Sequence, residues 1–220
     1  MKVVATQTEG NPAVVSAVPG IHDPRDLRGR RIGVATNDVS GSIFIRMLAA
    51  RQGWALSRDV EASSFADVAA LRAAMGQRQI QAAVWGDVGA VSEAEGTSSI
   101  LLHLGPISPK WVSRVLCVGD ERIRDHSDAI RRVTRAIFHA IRFMKAQPDT
   151  AAEITAAELG WSPVAVRRAH GLSAKFLSWD GRVSVEALTA MHDFLLEHAV
   201  LTKRLSFEEI IARNFAPVRL

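Results

Sequence analysis

The sequence predicts an α/β protein, with one parallel α/β lobe followed by a helical carboxyl-terminal segment. Between residues 31 and 118, short apolar, β-prone runs alternate with helical patterns, which favours a largely parallel sheet covered by helices on both faces. After residue 120 no strand pattern recurs, and helices follow one another between cap and turn residues. The 220 residues are 48% hydrophobic, enough for a substantial core.

The first predicted unit is a strand, a turn and a helix. Residues 31–35 (RIGVA) are apolar and β-prone, and residues 37–41 are rich in turn and cap residues. The helix that follows can end at Gly53, and a short strand is predicted around Val60.

The next helix is predicted from a variant capping box, because Ser64 is followed three residues later by Asp67. Gly76 closes this helix, and Asp87 can cap a short helix that runs to about Glu95. Three more strands are predicted at residues 80–85 (IQAAVW), 100–104 and 115–118.

The second half begins with a long helix that Ser127 caps and Pro148 interrupts. Its apolar side chains recur every three or four residues, and we expect them to form the buried stripe: Ile130, Val133, Ile137, Ile141 and Met144. Further helix starts are predicted at Pro148, Ser162, Ser184 and the capping box of Ser206 with Glu209.

Composition and motifs argue against several functional classes. The net charge is +4, but the arginines are spread along the chain, so we expect no nucleic-acid partner. The single cysteine, Cys117, excludes an internal disulfide and is expected to be a buried structural thiol. Metal-ligand spacing, phosphate-binding loops and nucleophile elbows are missing from the sequence, which predicts no metal, no cofactor and no enzyme.

The strongest candidate site is the stretch of residues 36–42, which joins a strand to the start of a helix. Open α/β sheets usually bind ligands at this place, where unpaired backbone N–H groups attract anions. Thr36, Ser40 and Ser42 add hydroxyl groups, and Gly41 lets a ligand approach closely. An ordinary helix cap fits the same pattern, and Asp38 would partly oppose an anion.

A second candidate site follows the predicted strand at residues 80–85. Trp85 could form a wall of a cleft, and Asp87 could accept a hydrogen bond from a ligand. A packed tryptophan and a helix-capping aspartate explain the same residues equally simply.

Four motifs in order resemble the NMT1/SsuA-like solute-binding proteins of ABC importers. They are residues 26–34 (DLRGRRIGV), 80–84 (IQAAV), the long helix from 129 to 148, and 180–184 (DGRVS). The resemblance implies a periplasmic-binding-protein-like fold, in which two lobes close on a small anionic solute of the sulfonate, nitrate, aromatic-acid or pyrimidine class. It also implies an ABC permease as partner and a periplasmic or membrane-associated extracytoplasmic location, although no signal peptide is visible in the sequence.

Two other functions are compatible with the sequence: a LysR-type effector-binding regulatory domain and an NMT1-like pyrimidine biosynthesis enzyme.

The resemblance implies three parts: a crossover and first-lobe remnant (1–25), the second α/β lobe (26–115), and a return crossover with the helical part of the first lobe (116–220). It further implies that the amino-terminal part of the first lobe is missing. The stripe on the long helix would then need another surface, and we expect self-association through the carboxyl-terminal helices.

Overall fold

The computed structural model describes residues 1–36 and 38–220. The strands are β1 (Lys2–Glu9), β2 (Val14–Ala17), β3 (Arg31–Ala35), β4 (Glu61–Phe65), β5 (Ala82–Trp85), β6 (Ser99–His103) and β7 (Val112–Val118). The helices are α1 (Val39–Arg51), α2 (Val68–Gly76), α3 (Asp87–Ala94), α4 (Asp120–Asp125), α5 (Ser127–Ala146), α6 (Pro148–Leu159), α7 (Pro163–Ser173), α8 (Val185–Glu197) and α9 (Phe207–Ile210). The α/β class predicted from the sequence is confirmed.

The described residues divide into two compact units. Unit 1 consists of Met1–Asn11, Ser108–Ala152 and Ser173–Leu220, and unit 2 of Pro12–Ile107 and Glu153–Leu172. The division expected from the sequence, at residues 1–25, 26–115 and 116–220, stays a prediction.

Unit 2 contains a five-stranded sheet in the order β4-β3-β5-β2-β6. Strand β3 pairs in parallel with β4 and β5, and Ile32 opposite Ala82 confirms that the two predicted strands are parallel neighbours. Strand β2 pairs antiparallel with both β5 and β6, so the other four strands share one direction. The largely parallel sheet is therefore confirmed for the four predicted strands, and β2 is an unpredicted exception. Its four residues (VVSA) are all buried, so the strand does not show the alternation of apolar and polar residues that is typical of a half-buried strand.

The helices of unit 2 begin at side-chain caps that differ in part from the prediction. The carboxylate of Asp67 accepts the Ala70 N–H at 2.8 Å and caps α2, whereas Ser64 lies in β4 opposite Val34. The predicted start at Ser64 was wrong because backbone pairing with β3 extends the strand past it. Asp87 is the first residue of α3, directly after Gly86, rather than its cap.

Helix α7 belongs to unit 2, although the sequence placed every late helix with the other lobe. Its Ala165 and Ala169 are buried against Ala90 and Val91 of α3, and Trp161 packs on the same cluster. Small side chains on both helices allow this close approach. The sequence could not reveal it, because the partner surface lies more than sixty residues earlier in the chain.

Unit 1 contains a two-stranded antiparallel sheet of β1 and β7. The strand predicted at residues 115–118 is present, but it pairs with β1 and does not join the larger sheet. A hydrophobic cluster next to this sheet contains Ala5, Phe138, Ile141 and Val218. The packing of this cluster requires glycine at position 181, because a Cβ added to Gly181 would lie 2.7 Å from the Phe138 ring. The positive φ of 75° at Gly181 also favours glycine.

The apolar stripe predicted for α5 is only partly correct. Ile141 is buried, and Ile130, Ile137 and Met144 are half-buried, but Val133 is 60% exposed. The most buried side chain of the helix is Phe138, with 0% exposure, followed by its neighbours Ile141 and Thr134 at 2% each. The helix therefore turns the face centred on Phe138 inward and finds apolar partners within unit 1. Self-association stays a prediction.

Within the described ranges, no helix combines the length and the apolar character that crossing a membrane would require.

Replacing Phe138 with alanine tests the core of unit 1. Removing a fully buried ring leaves a cavity, so we expect the free energy of unfolding to fall by about 3–5 kcal/mol. Val133→Ala on the exposed face of the same helix should change it by less than about 0.5 kcal/mol. Denaturant unfolding followed by circular dichroism measures both, and equal effects would show that α5 packs by another face.

Candidate functional site

The candidate site lies at one edge of the unit 2 sheet. Because β3, β4 and β5 are parallel neighbours, their carboxyl ends meet there. Thr36 fixes two of these ends to each other, since its backbone N–H and its hydroxyl both donate to the Phe65 carbonyl oxygen, at 2.7 and 2.9 Å. The end of β5, which contains Trp85, and the segments after β3 and β5, which contain the other five predicted site residues, therefore lie at the same edge.

The start of α1 is occupied by its own aspartate. Oδ1 of Asp38 accepts the backbone N–H of Gly41 at 2.9 Å and the hydroxyl of Ser40 at 2.7 Å. Free N–H groups were expected here for a binding loop, and for Gly41 that expectation was wrong, because Asp38 acts as the helix cap that the same pattern also allowed. Asn37, part of the predicted turn, lies outside the described residues. An anionic ligand would have to compete with this carboxylate for the same donors.

Gly41 packs closely rather than lining open space. A Cβ at this position would lie 2.5 Å from Cγ2 of Val34 and 2.7 Å from Oδ2 of Asp38. The glycine is therefore required by the contact between α1 and β3, whether or not a ligand binds.

Ser42 has the most available hydroxyl of the predicted loop. Its backbone N–H donates to the Asp38 carbonyl oxygen at 3.4 Å, and the side chain is half-buried. The part of the chain that the structure describes offers its hydroxyl no hydrogen-bond partner. The hydroxyls of Thr36 and Ser40, in contrast, already donate to protein oxygens.

Trp85 is buried inside unit 2. Its side chain is 3% exposed, and its indole N–H donates to the hydroxyl of Ser16 on β2 at 3.0 Å. Gly89 of α3 packs so closely that an added Cβ would lie 2.7 Å from the indole nitrogen. These contacts fit the packed alternative considered from the sequence, and a ligand-binding role for Trp85 stays a prediction.

Asp87 is half-buried in the first turn of α3 and acts electrostatically on His170 of α7. Burial lowers the pKa of His170 below its ordinary value, and the Asp87 carboxylate offsets part of that effect. Nδ1 of His170 is buried without a hydrogen-bond partner among the described residues. No sequence motif singles out His170, because only the packing of α7 on α3 brings it to Asp87.

The described residues show little that resembles a catalytic or metal centre. No group of three His, Cys, Asp or Glu side chains within them could hold a metal ion. Cys117 is exposed, so the expectation of a buried thiol was wrong. It lies in β7, on the two-stranded sheet of unit 1, opposite Val3. Partial desolvation nevertheless raises the pKa of this thiol, which disfavours the reactive thiolate.

Comparison with known proteins gives a family and a fold. The family model described as "NMT1/THI5 like" matches residues 1–151, more than half of the chain. A comparison with curated protein sequences finds no match.

Several solved structures share the fold. The alkanesulfonate-binding protein SsuA from Xanthomonas axonopodis pv. citri, bound to MOPS, has 15% identity and a TM-score of 0.75, over 94% of this chain and 73% of that one. A ligand-binding component of an ABC-type import system from Staphylococcus aureus has 14% identity and a TM-score of 0.78, over 99% and 74%. The desulfurization enzyme DSZB has 18% identity and a TM-score of 0.69, over 97% and 77%. The fold is thus shared by binding proteins and by an enzyme.

Substituting Gly41 tests whether the start of α1 is as tightly packed as its contacts indicate. Gly41→Ala places a methyl group against Val34 and Asp38, and we expect a loss of about 1–3 kcal/mol in the free energy of unfolding. Gly76→Ala at the end of α2 meets nothing within 4 Å and should leave stability unchanged or raise it by up to about 1 kcal/mol. Thermal and denaturant unfolding decide, and a neutral Gly41→Ala would contradict this account.

The buried position of His170 predicts a pH dependence. Because its pKa is lowered in the folded state, the unfolded chain binds the proton more readily, so stability falls as the pH drops below about 6.5. Between about pH 7.5 and about pH 5, the free energy of unfolding of the His170→Gln variant should fall by less than that of the wild type. His103→Gln, at an exposed histidine of the same unit, should follow the wild type. Parallel curves for all three proteins would exclude this role for His170.

Proposed function

Because the chain belongs to the NMT1/THI5-like family, we propose that it is the solute-binding component of an ABC importer. The observation that carries the proposal is the shared fold, which extends over almost the whole chain in two binding proteins. The solute that we propose is small and anionic, of the sulfonate, nitrate, aromatic-acid or pyrimidine class. An ABC permease as partner and an extracytoplasmic location belong to the same proposal.

The proposed solute site is the edge of the unit 2 sheet at residues 36–42, with Trp85 and Asp87 on the adjacent segment. Ser42 is its central residue, because its hydroxyl can donate to a solute oxygen without giving up an internal bond. The Gly41 N–H already serves Asp38, and the Asp38 carboxylate repels an anion placed directly at the helix start. We therefore propose that the anionic group binds beside Ser42 rather than on the Gly41 N–H.

An enzymatic function is the second candidate, because DSZB shares the fold and is an enzyme. The chain offers less support for it. Its one cysteine is exposed on β7 with a raised thiol pKa, and the described residues contain no metal-binding cluster. The alternatives of a regulatory effector-binding domain and a pyrimidine biosynthesis enzyme would also bind a small molecule. Release of the bound solute unchanged would argue against the enzyme alternatives.

Solute binding is tested with a panel of alkanesulfonates, MOPS, nitrate, benzoate and pyrimidines, by thermal stabilisation and then calorimetry. We expect at least one of them to bind and Ser42→Ala to weaken it about tenfold, the usual effect of losing one hydrogen bond to a charged group. Ser99→Ala is the matched control. Ser99 is also half-buried, but it is the first residue of β6 and so lies at the amino ends of the parallel strands, away from the proposed site.

Mass spectrometry of the solute after incubation separates binding from catalysis. Chemical conversion would favour the enzyme. Failure of the whole panel to bind, or equal weakening in both serine variants, would contradict the proposed solute site.

A further inference from the structure

A groove in unit 1 is lined by four arginines. It encloses about 360 Å³, between one face of α5 and the extended segment after α9. Its lining consists of Arg131, Thr134, Arg135, Arg213, Asn214, Phe215, Ala216, Pro217, Val218 and Arg219. No aspartate or glutamate occurs among these described residues, so the groove concentrates positive charge.

Two of the arginines are held by internal contacts. Arg131 donates to the Asn214 carbonyl oxygen at 3.4 Å, its guanidinium lies 5.1 Å from the centre of the buried Phe215 ring, and Asp128 is 3.8 Å away at the surface. Arg213 forms an ion pair with Glu208. The contacts of Arg131 tie the segment after α9 to α5, and the Arg213 pair ties it to α9.

The other two arginines have no such partners. Arg135 and Arg219 are exposed, and the part of the chain that the structure describes gives neither of them a hydrogen bond or an ion pair. Two guanidinium groups at one groove without a counter-ion repel each other and are rich in unused donors. An oxyanion between them would relieve the repulsion and accept those donors.

We propose that this groove binds a compact oxyanion with two or more negative charges, such as a phosphate ester, a pyrophosphate or a tricarboxylate. Planar guanidinium groups pair with phosphate and carboxylate oxygens through two parallel hydrogen bonds, which a monovalent halide cannot reproduce. The volume lies within the usual range of small-molecule sites. The proposal concerns unit 1 alone and does not rest on the solute site of unit 2.

The test measures pyrophosphate and citrate binding by calorimetry at constant ionic strength, with sodium chloride as the reference salt. We expect about one anion per chain for at least one probe. The double variant R135Q/R219Q should bind at least about tenfold more weakly, because each lost arginine removes charge-assisted hydrogen bonds. Its side chains are exposed, so the fold should persist, and circular dichroism checks this.

The matched control is the double variant R132Q/R142Q. Arg132 and Arg142 are exposed on the same helix and do not line the groove, and replacing both removes the same net charge as the first double variant. Wild-type affinity in this control supports the groove as a specific site. Equal weakening in both variants would show that only net charge matters and would overturn the proposal. Binding of long polyanions such as heparin alone, or no binding of either probe, would also overturn it.

Discussion

The sheet of unit 2 depends on the double pairing of β2. This four-residue strand lies between β5 and β6 and runs against both, so its backbone donors and acceptors are satisfied on two sides while all four side chains are buried. Its Ser16 accepts the Trp85 indole N–H, and its Val14 packs where Gly89 leaves room. The end of β5 and the first turns of α3 are positioned by these contacts, and with them one half of the candidate site.

The parts of the fold that were predictable are those encoded locally. Residues 31–35 and 80–85 are apolar and β-prone, and the capping box of Ser206 with Glu209 forms as its spacing indicates. The parts that were missed depend on distant partners. Strand β2 is recognisable only from its neighbours on either side, and the inward face of α5 is set by Phe138 meeting Ala5 and Val218. Local periodicity does not decide among several apolar residues which ones a distant surface will cover.

That the candidate segments meet at one edge of the sheet was predictable, but which of their polar groups have internal partners was not. Parallel strands bring Thr36, the start of α1 and the segment after Trp85 to one edge, as the general rule for α/β sheets requires. Whether Asp38 points to solvent or caps its own helix depends on backbone geometry that the sequence leaves open, and the structure shows the cap. An aromatic residue at the end of a strand likewise looks the same whether it packs or lines a cleft. For Trp85, the hydrogen-bond partner of the indole N–H lies 69 residues earlier, at Ser16.

Close packing shapes this part of the sheet, so a substitution there affects both the stability of the fold and the proposed site. Cβ atoms added at Gly33, Gly41 or Gly89 would each come within 2.5 Å of a neighbouring side-chain carbon, so helices and strands meet there at nearly backbone distance. Such contacts leave the start of α1 little freedom, which would reduce the ordering required for a solute to bind at the proposed site. Enlarging one of these glycines disturbs the fold and the site together. A side chain whose polar group makes no internal bond, such as Ser42, is where binding and folding can be separated.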